Sequence, residues 1–290
     1  MPDATVVIAT HNRASQLRDC LASLARQSVR DRFDIVVVDN ASEDSTAATI
    51  EAAPGVRNVF VAAPNRAKAR NAGIAVATGS ILVFCDDDTI VPEGFVAAHL
   101  KAHERFRHAV VSGPIINVSD ERLRPAPRSS NYSRAFFCTC NASVARADLL
   151  AAGGFDERYD LYGWEDTDLG VRLRAKGLRR IFDWSAYIYH VKPAASMTLE
   201  RRRAQAREKG MMAARFVRKN PSLPVRLATG AHAFNFVRAA FVRASGLPAL
   251  FERMARHDPS DSLSARLANE ALVDVAYVDA LRDGLRAERG

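Results

Sequence analysis

The chain has 290 residues, 48% of them hydrophobic and 26% charged, with a formal net charge of +8. That composition excludes a disordered chain and suits one large globular domain with an appendage. Four cysteines without a CxxC spacing indicate neither a disulfide framework nor zinc. No apolar run approaches the roughly 20 residues that span a bilayer, and the apolar stretch 4–9 stands where a signal peptide needs its basic leader, so a cytoplasmic protein is expected.

The first half alternates strand and helix. Thr5 to Ala9 reads as a strand, Ala14 to Gln27 as a helix with Leu17, Leu21 and Leu24 at helical spacing, and Phe33 to Val38 as a second buried strand ending at Asp39. Ser42 to Ala52 reads as a helix with Ser42 and Ser45 as capping candidates, Val56 to Val61 as a third strand, and Arg66 to Ala77 as a helix closed by Gly79. The fourth strand, Ile81 to Cys85, runs straight into Asp86, Asp87 and Asp88. Strands separated by helices of this length imply right-handed βαβ units and a mostly parallel, Rossmann-like sheet.

Acids at the carboxyl end of a buried strand stand where open α/β sheets bind ligands, and their hard oxygens suit a divalent cation. A solvated acidic turn is the alternative.

Beyond Asp88, Pro92 to Arg107 reads as a helix, Ala109 to Ser112 as a short strand, and Ser119 to Asn131 as a polar loop suited to acceptor recognition. A strand from Phe136 to Asn141, with Cys138 and Cys140 on one face, and a helix from Ala145 to Ala152 follow. Trp164-Glu165-Asp166 opens another helix, whose dipole favours acids there. Ala186 to Tyr189 is a strand ending at His190.

Charge is balanced through His190, but Val191 to Arg243 holds 12 basic residues against 2 acidic ones. From about Pro193 the chain reads as helices: Leu199 to Val217, then Val225 to Val242 after Pro221 and Pro224, then Leu263 to Leu285. With aromatics interleaved and no nucleic-acid motif, residues 198–243 suit an anionic membrane surface rather than nucleic acid, with a solvated helix face as the alternative. The domains expected are 1–192, catalytic, and 193–290, basic and helical.

Five strings in this order, Val6 to Arg13, Val36 to Ser42, Ala69 to Gly73, Asp86 to Asp88, and Gly154 to Glu157 followed by Trp164 to Asp166, resemble the signatures of family-2 glycosyltransferases with the GT-A fold. The second half of the expected catalytic domain is similar to the galactosyltransferase-like branch. The resemblance implies an inverting transfer of a sugar from a nucleoside diphosphate, UDP being favoured, to a glycan, polysaccharide or lipid-linked acceptor. It implies Asp88 and Asp86 as metal ligands with His190 as a third, and Mn²⁺, or else Mg²⁺, as the ion. Thr10, Arg13, Asp39, Arg70 and Asp86 would hold the nucleotide. Asp87 would be a supporting or solvent-facing residue.

Transfer requires a carboxylate to take the acceptor's proton. By the resemblance this is Asp166, with Glu165 orienting hydroxyls and Trp164 and Asn141 contacting sugar or acceptor. A non-catalytic sugar-nucleotide-binding scaffold would need no base at Asp166. A phosphatase or phosphotransferase would carry its DxD after the first strand, so position argues against it.

Overall fold

Four runs rich in β-branched residues, β1 (Ala4–Thr10), β2 (Phe33–Asp39), β3 (Val56–Phe60) and β4 (Ile81–Cys85), lie parallel in the order β3-β2-β1-β4. Val6, Val7 and Ile8 of β1 and Val36, Val37 and Val38 of β2 are at most 2% exposed, so both faces of these strands are covered and no polar alternation survives. Burying each such side chain stabilises the fold by about 1.5–3 kcal/mol. In β3, at the sheet's edge, Arg57, Asn58 and Phe60 are exposed.

Helices α1 (Ala14–Ala25), α2 (Thr46–Glu51) and α3 (Arg66–Val76) follow β1, β2 and β3. Helix α3 meets the sheet at Gly73, where a Cβ would stand 2.7 Å from Val7 Cγ1 and 3.0 Å from Val38 Cγ2. That close approach fixes the depth of Arg70, one turn earlier on the same face.

The chain continues through β5 (Thr89–Ile90), α4 (Phe95–Arg105), β6 (Ala109–Ser112), β7 (Ile115–Val118), β8 (Asn141–Ala145), α5 (Arg146–Ala151), α6 (Glu165–Ala175), β9 (Arg179–Phe182) and β10 (Ile188–Val191). β8 is antiparallel between β4 and β6, and β9 completes a seven-stranded sheet in the order β3-β2-β1-β4-β8-β6-β9. A smaller sheet, β5-β10-β7, sets His190 opposite Thr89, beside the acidic triplet. The mixed α/β architecture with a mostly parallel central sheet is the expected one.

Three local expectations need correction. The helix after β2 starts at Thr46, not Ser42, because side chains take the backbone donors before it: Ser42 N donates to Asp39 Oδ1 at 2.9 Å, and Glu43 N and Asp44 N donate to Asn12 Oδ1 at 2.7 and 3.3 Å. Phe136 to Cys140 is not a strand; Thr139 N donates to Asp166 Oδ2 at 2.8 Å and Asn141 N closes a turn onto Cys138 O, so β8 begins only at Asn141. The single helix expected over Val225 to Val242 is two, α8 (Leu223–Thr229) and α9 (Ala233–Ala244), parted at Gly230 with φ +74°.

The structure describes residues 1–192, 198–257 and 262–287. Contacts divide the chain into two units, Met1–Asp160 with Glu165–Ala195, and Leu161–Trp164 with Ser196–Gly290. In the second unit, α7 (Leu199–Lys219) runs against α11 (Leu263–Arg286), with α10 (Leu247–His257) between α9 and α11 in sequence. The crossing of α7 and α11 is built on small residues: a Cβ on Gly210 would stand 2.3 Å from Tyr277 O, and one on Gly284 would stand 2.8 Å from Ala214 Cβ. Among the described residues, no helix is long and apolar enough to cross a membrane.

Candidate active site

The carboxyl ends of β1, β2 and β4 deliver Thr10, Asp39 and the acidic triplet together, because parallel strands in register end on one edge: Thr10 pairs with Asp39 and Val7 with Phe84. Asp87 does not face solvent. It is 6% exposed, accepts a 2.7 Å hydrogen bond from Thr10 Oγ1, and lies 3.4 Å from Arg13 Nη1. Burial pushes its carboxyl up to about 6, with Asp88 and Asp86 adding to the effect and Arg13 and Thr10 opposing it. Thr10 thus anchors the triplet.

Arg13 also pairs closely with Asp88 Oδ2, while His190 Nε2 lies 3.0 Å from Asp88 Oδ1. Burial disfavours the Asp88 carboxylate, but the His190 ring and Arg13 outweigh it and hold the group below its usual range. Asp86, Cys140 and His190 each turn a donor atom inward, all three within 4.8 Å of one another. Oxygen and nitrogen donors at that spacing fit a divalent transition ion such as Mn²⁺. The cysteine spacing held no hint of Cys140 in this group; it arrives there through the pairing of β8 with β4.

Arg70 is the hub of the other half of the site. Its Nη1 donates to Glu165 Oε1 at 2.9 Å and lies 3.5 Å from Asp166 Oδ1, and its Nη2 lies 3.9 Å from Asp86 Oδ1. Burial works against the guanidinium, yet Asp166, Glu165 and Asp86 together raise its pKa above the ordinary value. Asp166 Oδ2 accepts from both Thr139 N at 2.8 Å and Thr139 Oγ1 at 2.9 Å, while its Oδ1 and Glu165 Oε2 are buried and take no hydrogen bond. Burial pushes Asp166 up to about 6; Arg70 opposes this and Glu165 adds to it. A carboxylate with a pinned oxygen, a bare oxygen and a pKa near neutrality is equipped to accept a proton.

Other expected positions have other surroundings. Asp39, 2% exposed, closes a turn by accepting from Ser42 N. Asn141, expected at the sugar or acceptor, spends its amide inside: Nδ2 donates to Pro114 O at 3.2 Å and Ala186 O at 2.7 Å, and Oδ1 lies 3.1 Å from His99 Nε2. These bonds tie the start of β8 to the carbonyls that precede β7 and β10. Trp164 belongs to the second unit, where its ring stacks on Phe216 at 5.2 Å and its Nε1 donates to Lys209 O at 3.1 Å. A cavity of about 530 Å³ lined by Leu21, Ala22, Ile35, Thr49, Pro54 and Val56 contains none of these acids.

Sequence reasoning does not single out Asn12 and Ala41, which adopt positive φ of 53° and 61° in the two loops above β1 and β2. Asn12 ties the loops together through its side chain, as its hydrogen bonds to Glu43 N and Asp44 N show.

A family model described as glycosyl transferase family 2 matches residues 5–153, and one described as the N-terminal domain of galactosyltransferase matches residues 125–203. An uncharacterized glycosyltransferase of Bacillus subtilis is 27% identical over 239 residues, covering 60% of this chain and 61% of its own. A validoxylamine A glucosyltransferase of Streptomyces hygroscopicus is 28% identical over 267 residues, covering 77% of this chain and 62% of its own. The chain therefore spans about three-fifths of the length of these relatives. Among solved structures, a mannosyltransferase of Pyrobaculum calidifontis in complex with GDP-Man and Mn²⁺ superposes with a TM-score of 0.63 at 19% identity, covering 100% of this chain and 88% of that one. At that identity the likeness establishes the GT-A fold.

Proposed function

Because the chain belongs to glycosyl transferase family 2, we propose that it is an inverting, metal-dependent transferase that moves a sugar from a nucleoside diphosphate to an acceptor hydroxyl, with residues 1–192 as its catalytic domain. The observation that carries this reading is Arg70, which joins the acid of the DxD strand, Asp86, to the Glu165-Asp166 pair within 4 Å. A binding scaffold would have no use for a desolvated acid with a bare oxygen at Asp166.

Asp166 takes the proton of the acceptor hydroxyl as that oxygen attacks the anomeric carbon, and Thr139 holds the carboxylate in one orientation. Glu165 orients donor or acceptor hydroxyls, its Oε1 held by Arg70 and its buried Oε2 without a hydrogen-bond partner. Arg13 and Arg70 are the cations nearest the acidic triplet, and their planar forks suit phosphate oxygens. Asp86, Asp88 and His190 would hold the divalent ion, Mn²⁺ in preference to Mg²⁺, which supplies Lewis-acid neutralisation of the leaving diphosphate.

A lipid-linked acceptor at the inner face of the cell membrane is the acceptor reading that one observation favours. Phe234, Val237 and Phe241, at i, i+3 and i+7 of α9, are 72%, 68% and 68% exposed, an apolar stripe without cover among the described residues of its unit. The basic residues contribute less than their number suggests, since Arg202, Arg203, Arg238 and Arg243 pair with Glu270, Glu252, Asp274 and Asp279.

The test is a thermal-shift screen of UDP, GDP and dTDP with and without Mn²⁺, followed by release of nucleoside diphosphate from the matching nucleotide sugar. Mn²⁺-dependent stabilisation by one nucleotide, UDP being the first choice, with turnover of its sugar is expected. Stabilisation without turnover on any acceptor would favour a scaffold, and no stabilisation by any of them would end the reading.

A further inference from the structure

We propose that the thiolate of Cys140 is a ligand of the cation site formed with Asp86 and His190, so that this site takes thiophilic ions, Zn²⁺ and Co²⁺, more tightly than Mn²⁺. The proposal rests on the metal reading above and adds to it a donor that the DxD pattern does not contain.

Three elements bring the donors together. β8 pairs antiparallel with β4 as far as Cys85 and Asn141, and Asp86 and Cys140 are the residues that flank this last pair on the two chains. β10 pairs with β5 through His190 and Thr89, which carries the imidazole to the same edge. The Sγ of Cys140, a carboxylate oxygen of Asp86 and a ring nitrogen of His190 lie within 4.8 Å of one another, and Cys140 is 7% exposed. A buried sulfur at this spacing lets one ion draw all three donors in with small side-chain shifts.

Chemistry then sets the preference. Affinity at nitrogen, oxygen and sulfur sites rises from Mn²⁺ to Co²⁺ and, for thiolate donors, to Zn²⁺. Binding forms a sulfur–metal bond and releases the thiol proton to solvent, with no change of oxidation state. Zn²⁺ therefore displaces Mn²⁺ from the full chain. Cys138, only half-buried and outside the converging group, serves as the control thiol.

The experiment titrates the full chain with Co²⁺, Zn²⁺ and Mn²⁺. Expected are a thiolate-to-cobalt charge-transfer band in the near ultraviolet, present in wild type and Cys138→Ser and absent in Cys140→Ser, and Zn²⁺ affinity weakened at least about 10-fold in Cys140→Ser. X-ray absorption of Zn²⁺-loaded wild type, which needs no variant to fold, should place one sulfur at about 2.3 Å. Mn²⁺ binding with only oxygen and nitrogen around bound Zn²⁺, or a cobalt band unchanged in Cys140→Ser, overturns this inference and leaves the metal reading standing. Failure of wild type to bind any of the three ions overturns both.

Discussion

Arg70 Nη1 lies 3.5 Å from Asp166 Oδ1, and the two residues come from different helices, α3 and α6, each in its N-terminal half. One guanidinium serves three acids, so its removal leaves Asp86, Glu165 and Asp166 facing one another without a counter-charge. Breaking a buried ion pair from one side costs about 3–5 kcal/mol. Arg70→Met should lower stability by that order in denaturant titration at pH 7, with a smaller loss at pH 5, where Asp166 is protonated. Equal losses at both pH values would show that the guanidinium acts by packing alone.

Asp166 should govern turnover. Asp166→Asn is expected to lower kcat by about 10²–10⁴-fold, the usual worth of a general base, while the Kd for nucleoside diphosphate with Mn²⁺ changes little. Full activity in this variant would remove Asp166 from the chemistry.

The same carboxyl sets a pH profile. The groups facing Asp166 are Arg70, Glu165, Thr139 and Cys138, and burial wins among them, so its pKa rises from 3.8 to about 6. The base must be ionised, so kcat/KM should fall about tenfold per unit as pH drops below about 6. Stability moves the opposite way: a raised carboxyl pKa contributes to the fold below 3.8 and that contribution is lost as pH rises through about 6. Asp166→Asn should therefore gain about 1–3 kcal/mol at pH 7 and gain nothing at pH 3.5, read by thermal or urea unfolding. A variant destabilised at pH 7 would contradict the desolvation argument.

Arg13 pairs with Asp87 and Asp88 where the divalent ion is proposed to sit. Its charge competes with the ion, so Arg13→Gln should tighten Mn²⁺ binding about 3–10-fold in the absence of nucleotide, a coupling of the size usual for close charges. The same variant should weaken nucleoside diphosphate binding in saturating Mn²⁺. Isothermal titration measures both, and weaker Mn²⁺ binding would mean that Arg13 organises the acids rather than opposing the ion.

Gly73 tests the fold beneath the site. An added Cβ 2.7 Å from Val7 Cγ1 has nowhere to go unless α3 lifts from the sheet, so Gly73→Ala should cost about 1–3 kcal/mol. It should also reduce turnover beyond that loss, since Arg70 rides on the same helix one turn away. An Ala variant of wild-type stability would show that Val7 and Val38 give way.

The α9 stripe predicts flotation of the full chain with liposomes, reduced by Phe234→Ser together with Phe241→Ser, both of which are exposed and leave the core untouched. Sedimentation with the lipid-free fraction regardless of lipid composition would point to a soluble acceptor.

Much of the first 192 residues was legible because period and punctuation are local properties. A short β-branched run such as Val36-Val37-Val38 reads as a covered strand, and an apolar strand that stops at Asp86 reads as opening on the edge where parallel strands end. Strands such as β5, β7 and β9 have no such signal, since a few residues carry little period, and they matter because β5 and β7 hold β10 and with it His190. Phe136 to Cys140 reads as a strand by pattern but folds as a turn, because the Asp166 carboxylate takes the Thr139 amide.

From the sequence alone came the α/β alternation, the acidic strand end, the Glu165-Asp166 pair and the basic helical tail, each carried by neighbours in the chain. Tertiary structure alone decided which of those groups face each other: Arg70 with three carboxylates, Thr10 beneath Asp87, Cys140 beside Asp86 and His190, Asn141 turned inward. The reason is that charge, desolvation and metal geometry act over a few ångströms in space, and residues that distant along the chain acquire those separations only when helices and strands pack.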